Sequence, residues 1–395
     1  MLYTSGVGVI RAAAMTMKRT ANRRVLVRAL EWIMRSRPRM SSMMGTSKVT
    51  PKAKIIAEEK ATKRCTEIIG VIVALRYVGE RWWIIQVAMY LPRIGFLLPL
   101  PFVVVAALLW GPRTLLRLQL FSLLLVAFPL MGLNPGAGRL SAHADGELIR
   151  VLSFNISYSN RGIASVVAQV RGFAPDVVLF QGAGESLERD LPVAFDGWHV
   201  NLDGQFFLAS RFPIRTVWVP PAIAYASGSG GAHFVRYTLH TPLGVVDVFN
   251  VHTTSPREGL EELRGNGLRE GIMSGRLFAG KPRGPVEFNA YRRRRQVEGL
   301  AAAAAASPHA VIIAGDTNLP GLSWILGERL SNFRDAFSQA GLGFGYTYPA
   351  MRPWMRIDRI LTNERLRAVD FRVGDAVTAA HRCVFAVIGA DSAGR

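Results

Sequence analysis

Hydrophobic and polar positions divide the chain into stretches of different character. Ile94 to Pro112 and Leu118 to Gly138 contain no charged side chain, and each run approaches the roughly 20 residues that span a bilayer core. The pattern predicts two apolar helices joined by Gly111-Pro112-Arg113-Thr114-Leu115-Leu116-Arg117, a short link carrying two arginines. Pro99, Pro101 and Pro129 are tolerated inside membrane helices, where neighbouring helices re-satisfy the freed backbone groups. A buried helical hairpin of a globular protein is the competing reading. Upstream, the apolar run Ile68 to Leu75 stops at Arg76, and Glu80-Arg81-Trp82-Trp83 has the make-up of a membrane-interface belt. Residues 62 to 79 are therefore a marginal third span. The breaker cluster Asn134-Pro135-Gly136-Ala137-Gly138 closes this membrane region, residues 66 to 138.

From Glu147 the period changes. The pattern predicts a strand over Ile149 to Asn155, a helix over Ile163 to Phe173 and a strand over Val177 to Gln181. Short strands follow near Phe206, Val217, Phe234 and Val245. A helix through Arg292 to Ala306, a strand over Ala310 to Gly315 and closing strands near Met355 and Val384 complete the set. Hairpin-spaced strands with interspersed helices predict an α/β layered sandwich over residues 147 to 390, preceded by transmembrane helices. Thr253 to Asn289 is rich in Gly, Arg and Glu without periodicity, and reads as a long loop or insertion.

Composition sharpens this division. The chain has 395 residues, 50% of them hydrophobic, and a net charge of +20 from 48 Lys and Arg against 28 Asp and Glu. Its mean hydropathy is nevertheless +0.20, high for a soluble chain of such charge. A disordered polyelectrolyte is excluded, and two cysteines as distant as Cys65 and Cys383 exclude a disulfide framework or a zinc finger. Most of the net charge belongs to residues 1 to 65, a basic and acid-poor leader without the apolar core of a secretory signal. It reads as a disordered arm, as an organelle transit peptide, or as the product of a start placed ahead of Met34, Met40 or Met44. With three spans, leader and arginine link both stay in the cytoplasm and the C-terminal domain is exported from an inner or plasma membrane. With two spans, leader and domain share the cytoplasm. The domain's own charge surplus is small, so no dedicated nucleic-acid surface is expected. The Arg292 to Arg295 run reads as a solvated helix face, with guidance of a phosphate-rich ligand as the alternative.

Candidate chemistry gathers where apolar strands end, the usual place for α/β sites. Asn155 ends the first strand, His252 follows Asn250-Val251, Asp316 and Asn318 lie in Gly315-Asp316-Thr317-Asn318, Asp358 follows Arg356-Ile357, and His381 precedes the last apolar run. Each alone reads as a turn or capping residue. In this order, with Phe207-Leu208-Ala209-Ser210-Arg211-Phe212-Pro213-Ile214 between, the sequence resembles the endonuclease/exonuclease/phosphatase superfamily of metal-dependent phosphoesterases. The resemblance extends over about residues 147 to 390, and the hairpin with Glu80-Arg81-Trp82-Trp83 and Leu91-Pro92-Arg93 resembles the membrane-anchored bacterial members.

The resemblance implies a four-layered α/β sandwich, two packed sheets flanked by helices, that hydrolyses phosphodiesters or phosphomonoesters with Mg²⁺ or Mn²⁺. It implies Asp316 as the base that activates water, Asn318 as a hydrogen-bond donor to phosphate, and His381 as stabiliser of the developing charge, with Asp358 orienting His381. Asn155 would lie beside the metal, and His252 would be a further active-site histidine. The expected partners are a phosphate-ester substrate (nucleic acid, lipid headgroup or small ester) and the lipid bilayer.

Two positions depart from the family pattern. Gly182 follows Gln181 where the family has a metal-binding Glu, and Ala380 precedes His381 where the family has Asp; Asp375 comes too early to replace it. Glu185, three residues past Gly182, substitutes only if Gly182 and Gly184 fold the chain back. The departures leave a second reading, a catalytically silent relative that binds a phosphate ligand or serves as a scaffold. On that reading, Gly182→Glu with Ala380→Asp should create activity.

Overall fold

The computed structural model describes residues 51–98, 100–110, 112–140, 146–157, 162–184, 187, 189–225, 228–231, 233–261, 283–376 and 379–391. Most of the leader and Glu185 lie outside the described residues. The chain forms two compact units, one of Met1–Val78 and Arg93–Met131, the other of Gly79–Pro92 and Gly132–Arg395.

In the first unit the helix Pro51–Val73 takes in the end of the leader, because Ala, Lys, Glu and Ile there favour helix. It packs on the helix Arg113–Leu125, with Cys65 Sγ 3.1 Å from Ser122 Oγ. Among the described residues one helix, Arg113–Leu130, is long and apolar enough to cross a membrane, or up to two if a bent helix pair is counted as one span. Of the marginal third span, residues 62 to 78 lie in the helix Pro51–Val73, which carries Lys63, Arg64 and Glu67, and in the π-helical stretch Ala74–Val78 that continues it.

The second unit holds two six-stranded mixed sheets. The strands are β1 Leu148–Asn155, β2 Val177–Gln181, β3 His199–Asp203, β4 Phe206–Ser210, β5 Ile214–Trp218, β6 Ile223–Tyr225, β7 Gly228–Gly230, β8 Phe234–Thr241, β9 Gly244–His252, β10 Ala310–Asp316, β11 Arg334–Asp335, β12 Asp358–Thr362, β13 Leu366–Val373 and β14 Val384–Ala390. One sheet has the order β13-β14-β1-β2-β4-β3, the other β11-β12-β10-β9-β8-β5, and β6 and β7 make a separate hairpin. Alternate side chains of a strand face opposite sides, and both sides are apolar here. Ile149, Val151, Leu179 and Leu208 of the first sheet meet Val235, Tyr237, Val248 and Ile312 of the second. Leu152, Phe154, Val178 and Phe180 pack outward on Val166, Val167 and Val170 of the helix Gly162–Arg171. Phe249, Val251, Val311 and Ile313 pack on Val297 and Leu300 of the helix Arg283–Ala305. The layers run helix, sheet, sheet, helix.

Several boundaries differ from the sequence pattern. The helix expected from Arg292 begins at Arg283, so the end of the supposed 253–289 loop is helical, and Arg257–Glu261 is a further short helix. The Arg292 to Arg295 run therefore lies inside the helix. Arg294 and Arg295 pair with Glu298 on the solvated side, but Arg293 is fully buried. In Glu80-Arg81-Trp82-Trp83, Glu80 and Trp83 are buried within the second unit while Trp82 stays exposed. The buried Glu80 carboxylate accepts from Ser323 Oγ and, at 3.0 Å, from Trp324 N, capping the helix Trp324–Arg329. Arg81 stacks on the Trp324 ring at 4.0 Å, and Trp83 is buried against Val286.

Candidate active site

Strand register assembles the site. In the first sheet Asn155 stands beside Gln181 across the parallel β1–β2 pair. In the second, Asp316 stands beside His252 on β9 and beside Asp358 on β12. Gly315, at φ +145°, lets β10 approach β9, since a Cβ there would sit 2.0 Å from Val251 O. Beyond Asp316 the chain turns through Asn318 in the left-handed region, φ +50°, which Asn tolerates better than most residues. Asn318 N donates to Asp316 Oδ1 at 2.9 Å and Asn318 Nδ2 to Thr253 O at 2.9 Å. Thr317 N and Oγ1 both donate to Ile357 O.

Six of the expected residues, Asn318 among them, meet within this group. His381 Nδ1 lies 2.9 and 3.2 Å from the two Asp358 oxygens, and His381 Nε2 lies 3.7 Å from Asp316 Oδ2. Asn155 Nδ2 donates to the same Asp316 oxygen at 2.9 Å, and His252 Nε2 is 3.8 Å from it. Burial alone would strip His381 of its proton, but the Asp358 and Asp316 carboxylates outweigh it and raise its pKa to about 9. Burial also raises the Asp358 pKa, with the His381 charge working against it. The pair therefore keeps its proton at neutral pH, with Nδ1–H held by Asp358 and Nε2–H facing Asp316.

His252 behaves oppositely. Burial lowers its pKa despite Asp316 nearby, so it is neutral, and its Nδ1 lies 2.5 Å from Gln205 Oε1. An acceptor there places the proton on Nδ1 and leaves Nε2 a lone pair. His233, whose Nδ1 lies 3.4 Å from His252 O, is held neutral by burial with a pKa lowered to about 4.

The two departures take definite forms. Gly182 has φ +68°, and a Cβ built on it would meet Ser157 Oγ at 1.7 Å. That place cannot receive a longer side chain without rearrangement. Ala380 offers its carbonyl to Ala350 N at 2.7 Å, which helps to fix the segment carrying His381.

Asp316, Asp358 and His381 nonetheless form a group whose ligand atoms lie within 4.8 Å of one another. Asp358 is committed to His381, so Asp316 supplies the remaining carboxylate, with the Asn155 amide against it. A hard divalent cation is commonly held by one or two carboxylates, with water and substrate phosphate completing its shell. The donor set fits that lower bound.

Residues 152–381 match the Endonuclease/Exonuclease/phosphatase family. The chain belongs to this family. Its members hydrolyse phosphoester bonds. No curated protein matches the chain in sequence. Similar solved structures include an endonuclease/exonuclease/phosphatase from Beutenbergia cavernae, 18% identical, covering 62% of this chain and 72% of that one, TM-score 0.43. Truncated TDP2 of Caenorhabditis elegans is 17% identical over 62% of this chain and all of that one (100%), TM-score 0.43. A 3' phosphatase, NExo, from Neisseria, solved with product DNA hairpin, is 14% identical over 60% of this chain and 98% of that one, TM-score 0.44.

Within the family site, sequence reasoning passed over several supports. Gln205 lies in the β3–β4 hairpin and Thr253 one residue past His252, and neither carries a motif. Tyr348 lays its ring 4.7 Å from the His381 ring and accepts at its hydroxyl from Arg257 Nη2 at 3.2 Å. Gln181 and Asn250 bond each other at 2.7 Å and stitch the two sheets together. A polar residue inside each apolar strand was the available signal for that pair.

Proposed function

We propose that this family member is a divalent-metal-dependent phosphoester hydrolase, tethered to a membrane by its apolar helices with the catalytic domain outside the cytoplasm. The observation that carries the catalytic reading is the placement of His381, held by Asp358 and aimed at Asp316, beside Asn318. A decayed site has no reason to keep a buried imidazole between two carboxylates, an arrangement that costs desolvation.

In the reaction, Asp316 accepts a proton from the attacking water as its oxygen bonds to phosphorus and the bond to the leaving oxygen breaks. The Asn318 amide and the His381 Nε2–H hydrogen-bond the non-bridging oxygens as charge gathers there. Asp358 fixes the tautomer and keeps the imidazole charged. Mg²⁺ or Mn²⁺, held by Asp316 and Asn155, would neutralise phosphate charge and polarise the ester. Glu185 is an additional proposed ligand.

One observation favours the alternative, a phosphate-binding or scaffold domain. The Ser157 hydroxyl occupies the direction in which a ligand from position 182 would point. Assay of the full chain on bis-p-nitrophenyl phosphate with Mg²⁺ or Mn²⁺, against Asp316→Asn, separates the two. Metal-stimulated turnover lost in the variant supports the hydrolase. Equal rates for both proteins leave the binding domain.

A further inference from the structure

The segment Gly79–Pro92 lies in sequence between the helix Pro51–Val73 and the apolar runs, far from every motif of the family site, yet it belongs to the catalytic unit. Its end reaches the turn that carries Asn318. Tyr90 is buried at 7% exposure and donates its hydroxyl to the Asn318 carbonyl at 3.1 Å. Arg293, fully buried, donates Nη1 to the same Tyr90 oxygen at 2.6 Å and Nη2 to Asn289 Oδ1 at 2.6 Å. Trp354 Nε1 donates to the Tyr90 carbonyl at 3.2 Å.

Chemistry fixes the direction of this chain of bonds. A guanidinium has donors only, so the Tyr90 oxygen accepts from Arg293 and its proton must go to Asn318 O. A charge-assisted donor polarises the hydroxyl and strengthens the bond it makes in turn. Burial raises the Tyr90 pKa beyond the alkaline range, so the phenol stays a donor. The bond falls on the one non-glycine residue of the site, among the described residues, whose backbone is left-handed, a conformation that surrounding structure must hold in place.

We propose that Tyr90, backed by Arg293, is a positioning residue that fixes the Asn318 peptide and thereby the Asn318 amide that meets phosphate. The proposal rests on the hydrolase reading for its kinetic consequence, but its structural content does not. It makes the segment that precedes the apolar runs part of the catalytic apparatus.

The test compares full-chain wild type, Tyr90→Phe, Arg293→Lys and Arg293→Met, with Asp316→Asn as control. Turnover of bis-p-nitrophenyl phosphate is measured alongside the ¹⁵N side-chain amide resonance of Asn318, assigned by its loss in Asn318→Asp. Tyr90→Phe is expected to lower kcat about tenfold with KM little changed and to shift the Asn318 resonance, with Tm nearly constant. Arg293→Lys, which keeps a charged donor, should retain more activity than Arg293→Met. Unchanged kcat together with an unmoved Asn318 resonance in Tyr90→Phe overturns the proposal, as does a loss that merely follows Tm. If wild type and Asp316→Asn turn over alike, the hydrolase reading fails; an unmoved Asn318 resonance then overturns the positioning role, and a shifted one sustains it.

Discussion

His381 Nδ1 lies 2.9 Å from Asp358 Oδ2, and this contact decides the charge of the site. The folded pKa of His381, about 9, is above its ordinary 6.5. Its contribution to stability is thus fully present below about 6.5 and disappears as pH rises through about 9. Activity should fall over the same alkaline range. Asp358→Asn removes the nearer carboxylate charge, so the alkaline limb of the kcat profile should move to lower pH while kcat drops about 100-fold. Steady-state rates from pH 6 to 10 for both proteins check this; superimposable limbs would count against it.

His233 and His252 set an acid limit. Burial depresses both pKa values, that of His233 from 6.5 to about 4. Their neutral forms stabilise the fold above about 6.5, and that stability is lost as pH falls below it, for His233 toward 4. The slope should be at most about 1.4 kcal/mol per pH unit for each group, less for the partly exposed His233. Urea unfolding at pH 7.5 and 5, repeated on His233→Gln, should show a shallower loss in the variant.

Gly182→Glu should not restore a metal ligand. The left-handed backbone and the Ser157 contact at 1.7 Å make it destabilising by about 1 to 3 kcal/mol. Combined with Ala380→Asp it should show a lowered Tm and no gain in Mg²⁺-dependent turnover. A rate above wild type would refute the geometric argument.

Glu80 should matter to stability although it lies outside the family match. Removing its carboxylate leaves Ser323 Oγ and Trp324 N without this acceptor in a buried place. Glu80→Ala should cost about 3 kcal/mol, read as a lower Cm in urea at unchanged slope. A chain beginning at residue 140 lacks the whole segment and should be less stable still.

The proposed export of the domain is checked by a reporter fused after Arg395 that is active only outside the cytoplasm. Strong signal is expected. Activity of a cytoplasm-only reporter would instead place domain and leader together, as two spans require.

Local patterning carried a large part of this protein into view. β2 coincides with the apolar run Val177 to Gln181, and β1 and β10 differ from their apolar runs by one residue at an end, because a strand buried on both faces is continuous apolar chain ended by polar residues. Those ends are also where Asn155, His252 and Asp316 lie, so the site's composition was legible with the strands. Helix starts were less legible. The Arg283 start lacks a periodic signal, and only tertiary packing shows that one arginine of four, Arg293, turns inward.

Other features were decided only when distant segments met. Glu80 and Trp83 have the same composition whether they face lipid headgroups or a helix terminus, and what distinguishes the two is the presence of Ser323, Trp324 and Val286, more than 200 residues away. The raised pKa of His381 depends on carboxylates brought from β10 and β12, and Coulomb terms depend on distance in space, which sequence spacing does not encode. Tyr90 is the clearest case: its hydroxyl gains meaning from a buried guanidinium on one side and the Asn318 carbonyl on the other. Burial and long-range hydrogen bonding assign roles that residue type and periodicity leave undetermined.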